Sequence, residues 1–200
     1  APAQPLPPWT GVRDATEYAA ACVQQGSDPI DGSEDCLYMS VFRPHDAVDL
    51  PALVFFPAGD NVSGRANDEL FGRPLYDGAA LAAAGLVVIV TQYRLGAFGF
   101  LSHDALTTDG ASGNWALTDQ LAALQFVQDN ADALGIDADN VILSGLSAGA
   151  VDACMLMASP LATGLFSRAI LHSGNCTALV PASIEDNMNR SAAEALGCAA

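Results

Sequence analysis

The sequence predicts an α/β fold, a mostly parallel central sheet with helices on both faces, and three observations carry that reading. Short apolar runs alternate along the chain with stretches of helical spacing, the pattern of strand–helix–strand units. Ala52–Phe56 and Leu86–Val90 are apolar at every position, as strands buried on both faces are. Finally, Val141-Ile-Leu-Ser144 runs directly through Gly145-Leu-Ser-Ala-Gly149 into good helix formers, so that strand, tight turn and helix follow without a linker.

The elements follow in order. Pro5, Pro7 and Pro8 keep the opening extended, and Trp9 to Asp14 reads as an irregular edge segment. The first strand is Leu37–Arg43, stopped by Pro44, and the next is Ala52–Phe56. From Pro57 to Arg73 the residues turn to Gly, Asp, Asn and Ser, a long loop of the kind that carries function inside a compact domain. Tyr76–Ala84 is an Ala-rich helix closed by Gly85, and Leu86–Tyr93 is the following strand. A second loop spans Gly96–Gly113. Leu117, Leu121, Leu124 and Val127 then recur at helical spacing until Gly135 stops the helix after Leu134. Beyond the Gly149 turn, a helix continues through Ala158, a strand covers Arg168–His172, and helical character returns over Ala182–Leu196. Neither an internal repeat nor a low-complexity linker interrupts the series.

Composition excludes several classes of partner. Seven basic residues, all Arg, stand against 23 acidic ones for a net charge of -16, which repels nucleic acid and anionic membrane. The chain lacks any run of the roughly 18 apolar residues that a membrane span needs. The five cysteines follow no metal-ligand spacing, so neither metal nor cofactor is expected. Cys22 and Cys36 flank a segment rich in Gly, Ser, Asp and Pro, which suits either a short disulfide loop in an oxidising compartment or two buried thiols. Cys154, on the helix after the Gly149 turn, reads as a buried thiol.

Gly145-Leu-Ser147-Ala-Gly149 fits G-x-S-x-G, in which a serine sits on a strained strand-to-helix turn with its hydroxyl lifted above the sheet edge. The Ser147 N–H is expected at the helix N-terminus, where the dipole suits a developing negative charge. Gly, Ser and Ala are common enough for a chance match. The strand before and the helix after raise the motif above that level.

Four stretches together resemble the type-B carboxylesterase and cholinesterase family of α/β-hydrolases. They are Ser33-Glu-Asp-Cys-Leu-Tyr38, Tyr93-Arg-Leu-Gly-Ala-Phe-Gly-Phe-Leu101, Gly113-Asn-Trp-Ala-Leu-Thr-Asp-Gln120 and the Ser147 pentapeptide, in family order and spacing. The resemblance implies that Ser147 is the nucleophile and that Cys22 and Cys36 form the family's first disulfide. It also implies that Arg94 and Asp119 make a structural ion pair, and that the oxyanion is held by the backbone N–H groups of Gly59, Asp60 and Ala148. Cys198 is similar to a family cysteine whose partner lies further on.

Two departures stand out. Where the family reads H-G-G-G or a near variant, this chain has Pro57-Ala-Gly-Asp-Asn61, and Leu146 replaces the Glu that commonly precedes the serine. Backbone donors do not depend on side-chain identity, but Asp60 stands where a glycine conformation is expected. His172 is the one histidine after Ser147; a strand-end histidine bonded to backbone is the commoner case, and His45 and His103 read as surface residues. Residues 1–200 are therefore expected to be the N-terminal part of one α/β-hydrolase domain, continuing at both ends, with the catalytic acid and histidine beyond Ala200.

The expected function is hydrolysis of small carboxylic esters through an acyl-enzyme on Ser147, in a secreted or otherwise oxidising setting, with no nucleic acid partner and no membrane span. The oligomeric state is left open. The segment between Cys22 and Cys36 contains no aromatic residue, which argues against a choline-binding aromatic site. The competing reading is a non-catalytic adhesion or scaffold protein of the same fold, favoured by the altered loop and Leu146 and opposed by the intact Ser147 turn. A lipase or amidase on this fold would carry the same residues.

Overall fold

A computed structural model describes residues 2–4, 9–25, 30–103, 112–177, 182–195 and 197, with the backbone alone over 182–188. A five-stranded sheet organises the chain. Its strands are β1 (Met39–Phe42), β2 (Leu50–Phe56), β5 (Val87–Thr91), β6 (Ile136–Leu146) and β7 (Arg168–His172), in the spatial order β1-β5-β2-β6-β7. The last four run parallel, and β1 closes one edge antiparallel to β5. Between them lie a two-stranded hairpin, β3 (Glu69–Leu70) with β4 (Arg73–Pro74), and the helices α1 (Ala79–Ala83), α2 (Gly96–Phe100), α3 (Trp115–Asp129), α4 (Ala131–Leu134) and α5 (Ala148–Ala158). The helix α6 (Ala182–Ala195) ends the described chain.

The apolar strands are covered on two sides, unequally. Alternate residues of β2 divide between the faces: Ala52, Val54 and Phe56 are fully buried in the main core, while Leu53 and Phe55 join a smaller cluster. The main core adds Ile89, Val141 and Leu143 from the sheet, Leu124 and Val127 from α3, and Ala153 and Leu156 from α5. On the other face α1 approaches closely, since a Cβ on Gly78, just before the helix, would lie 2.8 Å from the Val88 side chain. Burying Phe56, Ile89, Leu124 and Leu143 contributes about 1.5–3 kcal/mol each.

Most element boundaries follow the sequence, with informative differences. The helix expected over 117–134 divides into α3 and α4 at Asn130, before Gly135 stops it in the left-handed region at φ 74°. The segment 57–73 is not irregular throughout but ends in β3, and 96–100 forms α2 rather than loop. Both additions are short, and neither length nor periodicity marks such elements in a sequence. No helix among the described residues is long and apolar enough to cross a membrane.

Parallel register brings the functional ends together. Phe56 pairs with Gly145, Phe55 of β2 with Val90, and Leu146 with His172, so β2, β5, β6 and β7 release their carboxyl ends along one edge of the sheet. In open α/β sheets that edge is where ligands bind.

Candidate active site

At the end of β6 the backbone reverses within one residue. Ser147 has φ 53° and ψ -117°, a left-handed conformation costly for a residue with a Cβ, and α5 begins at the next position. The flanking glycines are required by close approach: a Cβ on Gly145 would lie 2.3 Å from the Gly149 carbonyl oxygen, and one on Gly149 would lie 2.3 Å from that of Phe56. Packing of α5 on β6, β7 and β2 over-determines the strained turn.

The Ser147 N–H does not point into the site as the sequence suggested. It donates to the His172 carbonyl at 2.8 Å, continuing the β6–β7 ladder one residue past the strand. The first N–H of α5 left over is that of Ala148. His172 contributes its backbone here, while its exposed imidazole lies 6.4 Å, centroid to centroid, from the Phe55 ring.

The loop after β2 lies beside this turn, because Gly149 abuts the carbonyls of both Phe56 and Pro57. Gly59 has φ 132°, and a Cβ there would fall 1.8 Å from the Ser63 carbonyl oxygen, so only glycine fits. Asp60, exposed, and Asn61 follow at φ 54° and 59°. The carbonyl of Gly59 is turned inward to accept from Val62 and Ser63, and among the described residues the N–H groups of Gly59, Asp60 and Ala148 meet no acceptor. Gly59 and Ala148 are half-buried, and backbone donors so placed rarely stay unpaired without reason. Leu146, where a carboxylate was the familiar alternative, is half-buried against the smaller apolar cluster.

The frame around the loop is polar and largely buried. Tyr76 Oη accepts from the Ala58 N–H at 3.0 Å, and Gln24 exchanges two hydrogen bonds with the Gly64 backbone. Tyr93 Oη lies 2.9 Å from the Pro57 carbonyl and 3.2 Å from Asn61 Oδ1. Desolvation raises the Tyr93 phenol well above its ordinary range, with the nearby Asp152 adding to it. Asp152, on α5, has no exposed surface and accepts from Asn61 Nδ2 at 2.9 Å and Gln120 Nε2 at 2.8 Å. Burial pushes its carboxyl above the usual range against the opposing pull of those two bonds. This network was not read from the sequence, although one acid inside Ala-Gly-Ala-Val-Asp-Ala-Cys-Met-Leu-Met was its signal.

Arg94 binds Asp119 at both ends, Nη2 to Oδ1 at 2.5 Å and Nε to Oδ2 at 2.7 Å, and its own N–H donates to Oδ2 as well. The pair ties the bend after β5 to α3. Cys22 and Cys36 are joined in a disulfide, Cα to Cα 4.9 Å. Cys154 is not a free thiol: it is bonded to Cys176 in the loop after β7, Cα to Cα 5.3 Å, over a sequence separation that gives no local cue. Cys198 lies outside the described residues.

A mostly parallel sheet that delivers a strained serine turn to its carboxyl edge defines an α/β-hydrolase fold. The Carboxylesterase family model matches residues 1–200, and the chain belongs to that family. It is 40% identical over 196 residues to human carboxylesterase 5A, covering 89% of this chain and 32% of that protein. It is 43% identical over 182 residues to the para-nitrobenzyl esterase of Bacillus subtilis, covering 85% and 36%. A crystal structure of a Geobacillus stearothermophilus carboxylesterase superposes with a TM-score of 0.87 at 35% identity, covering 98% of this chain and 40% of that one. The chain thus spans about a third of the length of these curated relatives. Two disulfides are consistent with an oxidising compartment.

Proposed function

We propose that the protein carrying this segment is a serine esterase acting on small carboxylic esters. The Ser147 hydroxyl attacks the ester carbonyl carbon, and its proton passes to a histidine contributed from outside residues 1–200. The carbonyl oxygen takes the electron pair and is received by the N–H groups of Gly59, Asp60 and Ala148. As the carbonyl re-forms, the alcohol leaves with the proton held by that histidine, and water then releases the acid from Ser147. The reaction as written calls for no cofactor.

The observation that carries this reading is the juxtaposition of Ser147, held at φ 53°, with a loop whose Gly59 and Asp60 amides meet no acceptor among the described residues. Leu146 favours an apolar group beside the reacting carbonyl, and secretion fits the disulfides. Residues 1–200 are read as part of one longer hydrolase domain, in keeping with the share of the relatives they cover. An organophosphonate probe on the full-length protein is expected to label Ser147 and to label nothing in Ser147→Ala. Labelling that survives the substitution would overturn the assignment.

A further inference from the structure

Resting on the reading of Ser147 as nucleophile, we propose that Asn61 and Asp152 are positioning residues which lock the amide-bearing turn at Gly59–Asp60 to the helix that the serine begins. Asn61 directly follows Asp60 and is held at three points. Its carbonyl accepts from the Gly96 N–H at 2.7 Å, its Oδ1 meets Tyr93 Oη, and its Nδ2 donates to Asp152. Asp152 stands one helical turn and a fraction after Ser147 on α5, so one side-chain contact spans the two halves of the site.

A carboxylate without exposed surface is costly, and two amide donors offset only part of that cost. An apolar residue would satisfy packing in the middle of this helix. What an apolar residue does not supply is a directional link to Asn61, whose φ of 59° tolerates Asn better than most side chains. Oxyanion donors act only when fixed to within about 0.5 Å of their working geometry. Phe56, Pro57 and Tyr93 set the start of the turn; at its end Gly96 and Tyr93 also hold Asn61, and the bond to Asp152 is the one that ties it to α5. Gln120 Oε1 is buried without a partner among the described residues, so once the Gln120 amide turns over to present that oxygen, Asn at 152 keeps both contacts: its oxygen toward Asn61 Nδ2, its amide toward Gln120 Oε1.

The test uses the full-length protein with Asn61→Ala, Asp152→Ala, their combination and Asp152→Asn, first checked for cooperative melting. With a nitrophenyl ester, kcat is expected to fall about 10- to 100-fold in each alanine variant with KM within about threefold, the effect of a misplaced catalytic group. The double variant is expected to fall no further than the worse single, and Asp152→Asn to rescue most of the loss. Hydrogen exchange across residues 57–64 is expected to quicken at least tenfold in the alanine variants and to be restored in Asp152→Asn. Unchanged kcat in folded Asn61→Ala, additive losses, or unchanged exchange would each overturn the proposal. If the wild type turns over no ester and Ser147 resists the probe, the serine reading fails, and the exchange measurement still decides whether Asp152 anchors the turn. Should Asp152→Ala not fold, the half-buried Asn61→Ala decides.

Discussion

The N–H of Ser147 donates to the carbonyl of His172 at 2.8 Å, so the serine turn is clamped by the end of the neighbouring strand. Two consequences follow. The Ser147 N–H is used up by the fold, so the first N–H that α5 leaves over is that of Ala148. And what His172 contributes to the turn is main chain, which any residue supplies.

His172→Ala is accordingly expected to leave ester turnover within about threefold of wild type, and stability within about 0.5 kcal/mol, as for other exposed side chains. Ser147→Ala is expected to abolish turnover. Initial rates on a nitrophenyl ester compare the two, and a His172→Ala rate as low as that of Ser147→Ala would make the imidazole part of the chemistry.

Asp60 holds a left-handed conformation at φ 54° beside two N–H groups assigned to an oxyanion. Replacing it by glycine relieves a conformational cost of about 1 kcal/mol and removes a negative charge from that site. The expected result is a higher kcat/KM together with a higher Tm. No turnover in wild type or Asp60→Gly, with both folded, would favour the non-catalytic scaffold reading.

The fold carries a second covalent staple where a thiol was expected. Peptide mapping without reduction is expected to recover Cys154 linked to Cys176 as well as Cys22 linked to Cys36. Cys176→Ser should cost about 2–4 kcal/mol of stability in urea. Recovery of Cys154 as a free thiol would remove this link between α5 and the loop after β7.

Asp152 titrates above its unfolded value of 3.8, driven by burial, so between the two values the folded state binds more protons than the unfolded one. Its neutral form suits the fold, and stability is lost as pH rises through the folded value. Asp152→Asn removes that dependence. The variant and wild type should melt together below about pH 3.8, and the variant should melt progressively higher as pH rises from there to the folded value, above which the difference stays constant. Tyr93, whose phenol feels the charge of Asp152, stays protonated throughout, because burial raises it. Parallel melting curves at all pH values would contradict the assignment.

What the sequence determined is what depends on local pattern. Fully apolar runs gave β2 and β5, periodic leucines gave α3, and glycines flanking Ser147 announced a turn that has no room for a Cβ. The pairing of Arg94 with Asp119 came through resemblance, since their spacing implies no contact, and resemblance likewise chose the disulfide over the two buried thiols that the segment between Cys22 and Cys36 left open. Only the tertiary structure decided where the polar groups buried between elements find their partners. Asn61, Tyr93, Gln120 and Asp152 lie on a loop, a strand end and two helices far apart in sequence, and meet because parallel strands bring their carboxyl ends to one edge. The Cys154 to Cys176 link and the use of the Ser147 N–H belong with them. Each is fixed by the β6–β7 register, a long-range relationship that no local preference of the chain encodes.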